Sequence, residues 1–187
     1  MSAMPAPHCY AALLRGINVG RAKRIAMADL RALFETLGFS DVRTLLNSGN
    51  VVFAAPKTKG AGAESLQEKI EAALAKQLAV SANAVVLRAD EVEAIVADNP
   101  LPQGTVEPSR YLIAVLRRSA DAVRLDELVA KDWAPDDLAV VGRTAYMWCP
   151  KGFLDSPLPE AVGRALRDQV TTRNWATMTK LRAMLAG

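Results

Sequence analysis

The sequence predicts an α+β protein made of two ferredoxin-like subdomains (alpha-beta plait, or split βαβ), the second of which carries an extra C-terminal helix. Three observations support this class. Short apolar runs alternate with amphipathic helical stretches, the first 90 residues follow the order βαββαβ, and a related order returns in the second half. We predict that the first subdomain covers residues 1–90 and the second covers residues 91–187.

In the first half, short apolar runs predict strands, and apolar positions three or four residues apart predict helices. The first helix is expected to end at Gly38, because glycine suits the left-handed position after a last helical turn. The predicted strands are residues 10–14, 42–46, 51–54 and 85–87, and the predicted helices are residues 26–37 and 66–78. A short acidic helix ended by Pro100 and Pro102 is the expected linker.

In the second half, Gly142 and Arg143 form the expected tight turn between two strands. The predicted strands are residues 111–116, 138–141 and 144–148, and the predicted helices are residues 122–130, 159–170 and 174–186. This half therefore has the order βαββα, followed by a final helix in place of a closing strand.

The amino-acid composition excludes several classes of protein. Of the 187 residues, 51% are apolar and 23% are charged, which is typical of a folded chain and excludes disorder throughout. No apolar run approaches the roughly 18 residues of a membrane span. We expect the apolar stretch from Cys9 to Leu14 not to be a secretory signal, because Arg15 ends it and no basic residue precedes it. Cys9 and Cys149 form neither a disulfide framework nor a zinc pattern. We expect a cytoplasmic protein that binds no metal, no cofactor and no membrane.

The net charge of +3 is unevenly distributed. Residues 1–60 carry a balance of +5, residues 61–150 a balance of −5, and residues 151–187 a balance of +3. If the two ends meet in the fold, they form a positive surface; otherwise the distribution is an uneven solvated surface.

Two loops of the first half are candidate ligand-binding elements. The stretch RGINVG at residues 15–20 lies between a strand and a helix, where glycines let backbone N–H groups approach an anion. It matches neither a P-loop nor a dinucleotide fingerprint. The stretch NSGN at residues 47–50 joins two strands. The candidate residues are Arg15, Asn18, Ser48 and Asn50. The alternative is that both loops are only tight connections.

The third candidate is the stretch TTRNWATMTKL at residues 171–181. Asn174 is a good helix N-cap, which leaves N–H groups at the helix start for an anion. Arg173, Thr177 and Lys180 are spaced i, i+4 and i+7, so a helix would place them along one line. Trp175 belongs to an apolar stripe and is expected in the core. The alternative for the polar residues is a solvated helix face.

These three stretches together resemble a bacterial domain-of-unknown-function family, the one numbered sixteen-ninety-seven. The resemblance extends from about Tyr10 to Leu185, with the motifs in the expected order. It implies two alpha-beta-plait subdomains and implies no activity, cofactor or catalytic residue. The chain departs from the family where a Gly-x-Gly-x-Ser-Lys-Leu-like stretch is common, because it has Leu154 and Pro157 at the second glycine and lysine positions.

The function that these residues favour is binding of an anionic small ligand, carrying phosphate or carboxylate, by Arg15, Asn18, Ser48, Asn50, Arg173, Asn174, Thr177 and Lys180. One alternative is nucleic-acid binding through the sheet and the basic ends, with Tyr10 stacking on a base. Another is an enzyme acting on a phosphorylated substrate, for which His8, Cys9 and Asp155 are weak candidates and no catalytic residue is assigned. The oligomeric state is left open.

Overall fold

The computed structural model describes residues 8–20, 24–56 and 62–187 of the chain. These residues form two compact units. The first unit holds the described residues up to Val92 together with Leu181–Gly187, and the second unit holds Glu93–Lys180. The α+β class is confirmed, because the described residues contain two four-stranded antiparallel sheets and six α-helices.

The first unit contains four strands and two helices in the order expected from the sequence. They are β1 (His8–Leu14), α1 (Met27–Thr36), β2 (Ser40–Leu45), β3 (Asn50–Ala55), α2 (Ala63–Leu78) and β4 (Ala84–Arg88). The strands form sheet A in the order β2-β3-β1-β4. Helix α3 (Ala89–Ala97) follows β4 directly. Because β1 pairs with β3 on one side and β4 on the other, its last residues are held firmly at one end of the sheet.

The core of the first unit lies between sheet A and helices α1 and α2. Side chains alternate between the two faces of a strand, so every second residue of β1 points at the helices. Tyr10 is only 6% exposed and stacks on Phe53 of β3 at 5.6 Å, while Phe53 meets Phe34 of α1 edge-on at 5.2 Å. The other face of β1, which carries Ala11 and Leu13, is buried as well.

The second unit repeats this plan. Its elements are β5 (Tyr111–Leu116), α4 (Asp126–Val129), β6 (Asp137–Val141), β7 (Thr144–Trp148), α5 (Leu158–Leu166) and β8 (Val170–Asn174), with 3₁₀ helices at Pro102–Val106 and Ser119–Leu125. The strands form sheet B in the order β6-β7-β5-β8. Helix α6 (Trp175–Ala186) follows β8, and its residues from Leu181 group with the first unit.

Strand β8 corrects the prediction that the second half lacks a closing strand. Residues 170–173 were divided between the end of one predicted helix and a short connection, but Val170 pairs with Leu116 and Asn174 pairs with Leu112 of β5. The β-branched residues at 170–172 favour an extended backbone, and the open side of β5 offers hydrogen-bond partners. The predicted helix at 122–130 is likewise divided, into a 3₁₀ helix and the short α4.

Two further features of the fold matter below. Arg43 of β2 donates from Nη2 to the carbonyl oxygen of Met184 at 2.6 Å, which joins the last turn of α6 to sheet A. Within the described ranges, we find no helix with the length and apolar character that crossing a bilayer requires.

Candidate functional site

The RGINVG loop and the NSGN turn lie side by side at the end of sheet A where β1 terminates. The N–H of Leu14 donates to the carbonyl oxygen of Gly49, and the N–H of Arg15 donates to that of Asn83, both at 2.8 Å. The two loops therefore share one edge of the sheet. Arg15 is half-buried and Ser48 is exposed at this edge. Arg21 and Lys23, which add to the basic character of the first loop in the sequence, lie outside the described residues.

Asn18 connects the two loops through its side chain. Its Nδ2 donates to the carbonyl oxygens of Asn47 at 2.9 Å and Ile25 at 3.0 Å, and its Oδ1 accepts the N–H of Ile25 at 2.7 Å. Its φ of 56° is in the left-handed region, which asparagine tolerates better than most residues. The side chain predicted to hold a ligand therefore stabilises the loops of this edge.

Gly49 and Asn50 complete the edge. Gly49 has φ of +80°, and a Cβ built there would lie 2.7 Å from Cδ1 of Ile17 and 2.8 Å from Cβ of Leu14. Asn50 is fully buried, and its Nδ2 donates to Leu45 O and to Ser48 Oγ, both at 2.9 Å. The turn thus packs against the first loop with no room for a side chain.

In the second unit, Arg173 lies in β8, opposite Ile113 of β5. The predicted helical line of Arg173, Thr177 and Lys180 is therefore wrong for Arg173, because its backbone is extended. Its Nη1 donates to Thr171 Oγ1 at 3.0 Å and to Thr172 O at 2.8 Å. Burial lowers the pKa of the Arg173 guanidinium to about 10, which still leaves it charged at neutral pH.

The start of α6 lies directly after Arg173. The Oδ1 of Asn174 accepts the N–H of Thr177 at 2.9 Å and its hydroxyl at 2.8 Å, so Asn174 is an N-cap as its residue type suggested. The cap already occupies the Thr177 N–H, which leaves one fewer donor for an anion than we expected. Thr177 is buried and Lys180 is exposed. Trp175 stacks on Tyr111 at 5.1 Å and belongs to the interior, as its apolar stripe suggested.

Comparison with known proteins identifies the family. The family described as "Protein of unknown function (DUF1697)" matches residues 8–146. The chain belongs to this family. The RGINVG and NSGN stretches lie inside the segment that DUF1697 matches, and the TRNWAT stretch lies beyond it. No curated protein matches the chain.

A solved structure agrees with the fold seen here. The conserved bacterial protein SP0830 from Streptococcus pneumoniae is similar to this chain with a TM-score of 0.74 and 24% sequence identity. The similarity covers 96% of this chain and 99% of that one. At this level of identity, the likeness shows the fold that the DUF1697 chain shares with SP0830.

The loop in which this DUF1697 chain carries Leu154 and Pro157 is exposed. Leu154 is on the surface, and Asp155, the best carboxylate candidate from the sequence, is exposed beside it. Ser156 donates from Oγ to Asp136 Oδ2 at 2.6 Å, and the same Oγ accepts the N–H of Leu158 at 3.1 Å. The serine of this loop therefore stabilises the first turn of α5.

His8 and Cys9, which the sequence offered as weak candidates for catalysis, belong to β1 and pair with Ala55 and Ala54 of β3. They line a cavity of about 310 Å³ together with Ala89 and the Arg88–Asp90 ion pair. Among the residues described, no group of three or more histidine, cysteine, aspartate or glutamate side chains could hold a metal ion.

Proposed function

We propose that this protein binds a small anionic ligand that carries a phosphate or carboxylate group, with Arg173 as the principal donor. The observation that carries the proposal is the position of this guanidinium. It is half-buried, and two neutral oxygens, Thr171 Oγ1 and Thr172 O, orient it. A charged group in a partly dry position interacts strongly with an anion, because little water screens the pair.

Two neighbouring residues make the start of α6 well ordered for such a ligand. Asn174 and Thr177 hold one another through two hydrogen bonds, so the first turn keeps its geometry without the ligand. The remaining N–H groups of that turn and the dipole of a 12-residue helix favour negative charge. Lys180 is exposed on the same helix and adds positive charge. That Arg15, Asn18, Ser48 and Asn50 take part in binding stays a prediction from the sequence.

The experiment is titration of the purified chain with inorganic phosphate and with citrate, followed by thermal unfolding and calorimetry. We expect the wild type to gain stability with one of them and Arg173→Gln to lose at least about tenfold in affinity, as for loss of a charge-assisted contact. Arg110→Gln is the matched control, since it removes an exposed arginine that pairs with Glu107 in the same unit. Equal loss in both variants, or no binding by the wild type, would contradict the proposal.

We propose further that each unit is a ferredoxin-like, split βαβ subdomain. The support is the element order βαββαβ in each half and the sheet orders β2-β3-β1-β4 and β6-β7-β5-β8. Nucleic-acid binding through the face of sheet A has less support, because Tyr10 stacks on Phe53 inside the core. An enzyme acting on a phosphorylated substrate likewise has little support, since Asp155 and Ser156 lie in an exposed loop with structural contacts.

A further inference from the structure

Three loops of the second unit meet at the end of sheet B where β5 terminates. The N–H of Leu116 donates to the carbonyl oxygen of Arg143 in the β6–β7 turn, and the N–H of Arg117 donates to that of Gln169 in the α5–β8 loop, both at 2.8 Å. The 3₁₀ helix Ser119–Leu125 begins at the same point. The backbone therefore brings residues 117–124, 142–143 and 167–169 to one edge.

This edge is rich in arginine, and we call it the arginine edge. It carries five arginines and two carboxylates, which are Arg117, Arg118, Arg124, Arg143, Arg167, Asp121 and Asp168. The second unit as a whole has 11 lysines and arginines against 12 aspartates and glutamates. An excess of three positive charges thus lies at one end of a unit that is otherwise acidic, which focuses a positive potential there.

Asp121 organises part of this edge. Its side chain is 7% exposed, and its two oxygens pair with Arg118 Nε at 3.4 Å and Arg124 Nη2 at 3.3 Å. The two arginines remain 58% and 43% exposed, so each guanidinium keeps a face toward solvent. One buried carboxylate therefore holds two guanidinium groups at the surface in a fixed arrangement.

We propose that the arginine edge binds a linear chain of phosphate groups, as in the backbone of a single-stranded nucleic acid or in inorganic polyphosphate. Guanidinium groups bind phosphate through two parallel hydrogen bonds, and their distribution over three loops suits several phosphates in succession better than one. The three loops contain no aromatic residue, so base stacking contributes nothing and binding is independent of base sequence. This site is distinct from Arg173, which lies at the opposite end of β8 from Val170.

The experiment measures binding of a labelled oligouridine by fluorescence anisotropy as a function of salt. The test variant is Arg118→Gln/Arg167→Gln, which leaves the Asp121–Arg124 ion pair in place. The control is Arg110→Gln/Arg164→Gln, which removes the same charge from exposed ion pairs elsewhere in the unit. We expect the test variant to bind at least about tenfold more weakly, and the slope of log K against log salt to fall by about 1.4, since each phosphate contact on a single strand contributes about 0.7.

The arms of the experiment separate the sources and the sites. Inorganic polyphosphate is expected to compete with the oligouridine. Whichever of the two binds with the lower Kd identifies the natural source of the phosphate chain. Arg173→Gln is expected to bind the oligouridine as the wild type does, so failure of the proposed small-ligand site leaves this result intact. Equal loss in the two double variants, loss in Arg173→Gln, equal competition by polyglutamate, or no binding by the wild type at low salt would each overturn the proposal.

Discussion

The ends of the two sheets share one backbone arrangement and differ in the side chains that complete it. In sheet A, Leu14 and Arg15 donate to Gly49 and Asn83; in sheet B, Leu116 and Arg117 donate to Arg143 and Gln169, and all four bonds measure 2.8 Å. The first edge is then closed by neutral amide hydrogen bonds, chiefly those of Asn18. The second is closed around ion pairs of Asp121.

This difference shows that the repeated backbone does not determine which polar groups an edge presents. At the edge of sheet A, the Asn18 amide joins the two loops and the Asn50 amide bonds within the β2–β3 connection, so these polar side chains mostly maintain the structure. At the edge of sheet B, exposed guanidinium groups remain directed at solvent. We therefore expect added salt to weaken the stabilising interactions at the edge of sheet B and to leave those at the edge of sheet A almost unaffected.

The largest expected effect is that of Gly49→Ala. The new Cβ would meet Ile17 and Leu14 below 3 Å at a positive φ, so we expect a loss of about 3 kcal/mol in the free energy of unfolding. Gly142→Ala is the matched control in the equivalent turn of sheet B, where φ is +56° and no atom lies within 4 Å. It is expected to cost only about 1 kcal/mol. Urea unfolding measures both, and equal losses would contradict the packing argument.

Asn18→Ala is expected to cost about 2 kcal/mol, because three hydrogen bonds are lost together, two with Ile25 in the same connection and one with Asn47 in the NSGN turn. Asn47→Ala serves as the control, since Asn47 accepts the Asn18 bond through its backbone oxygen and keeps that oxygen in the variant. Denaturant unfolding at low and high salt is the measurement. A cost for Asn18→Ala that depends strongly on salt would show that the edge of sheet A is electrostatic after all.

Asp121→Asn is expected to cost about 1 kcal/mol, since it weakens two ion pairs whose carboxylate is buried but whose arginines are exposed. Unlike that of Asn18→Ala, this cost should shrink as salt is added, because screening weakens the interactions that are lost. The same unfolding series on both variants gives the comparison directly. A cost independent of salt would instead indicate that packing around residue 121 dominates.

The smallest effect is expected for Asp90→Asn, which tests an exposed ion pair of the first unit. A hydrogen bond from Arg88 lowers the pKa of the Asp90 carboxyl in the folded protein. The ion pair therefore stabilises the fold at pH values above the carboxyl's pKa in the unfolded chain. This stabilisation is lost as the pH falls through the carboxyl's pKa in the folded protein. Both side chains are more than half exposed, so the contribution is below about 0.5 kcal/mol. Thermal unfolding of both proteins between about pH 2 and pH 6 should show the small difference fading toward acid.

The elements of the first unit were predictable because each has a local signature. A short continuous apolar run marks β1, which is buried from Tyr10 to Leu14, and the 3.6-residue period marks α1 and α2. Strand β8 was not predictable in this way. Its five residues run directly into α6, and only their pairing with β5 makes them a strand. The same error placed Arg173 on a helix face, since the position of that residue depends on a partner strand far away in sequence.

The candidate residues show a similar division. Residue type alone singled out Asn18 and Asn174, and both are the polar residues around which their local structure is organised. The bond from Asn18 to Asn47 crosses 29 residues, so no local pattern reveals it. The charge distribution along the sequence does not predict the arginine edge, because four of its five arginines lie within residues 61–150, whose total charge is negative. A summed charge hides a cluster that the fold assembles from separate loops.

The bond between Arg43 and Met184 has a consequence for synthesis. Its two ends are 141 residues apart, and Leu181–Gly187 group with the first unit although the entire second unit comes between them in the chain. On the ribosome, the strands and helices of sheet A emerge first, yet this contact forms only after Glu93–Lys180 have been translated. The nascent first unit therefore lacks the contact between Arg43 and Met184 throughout the translation of the second unit.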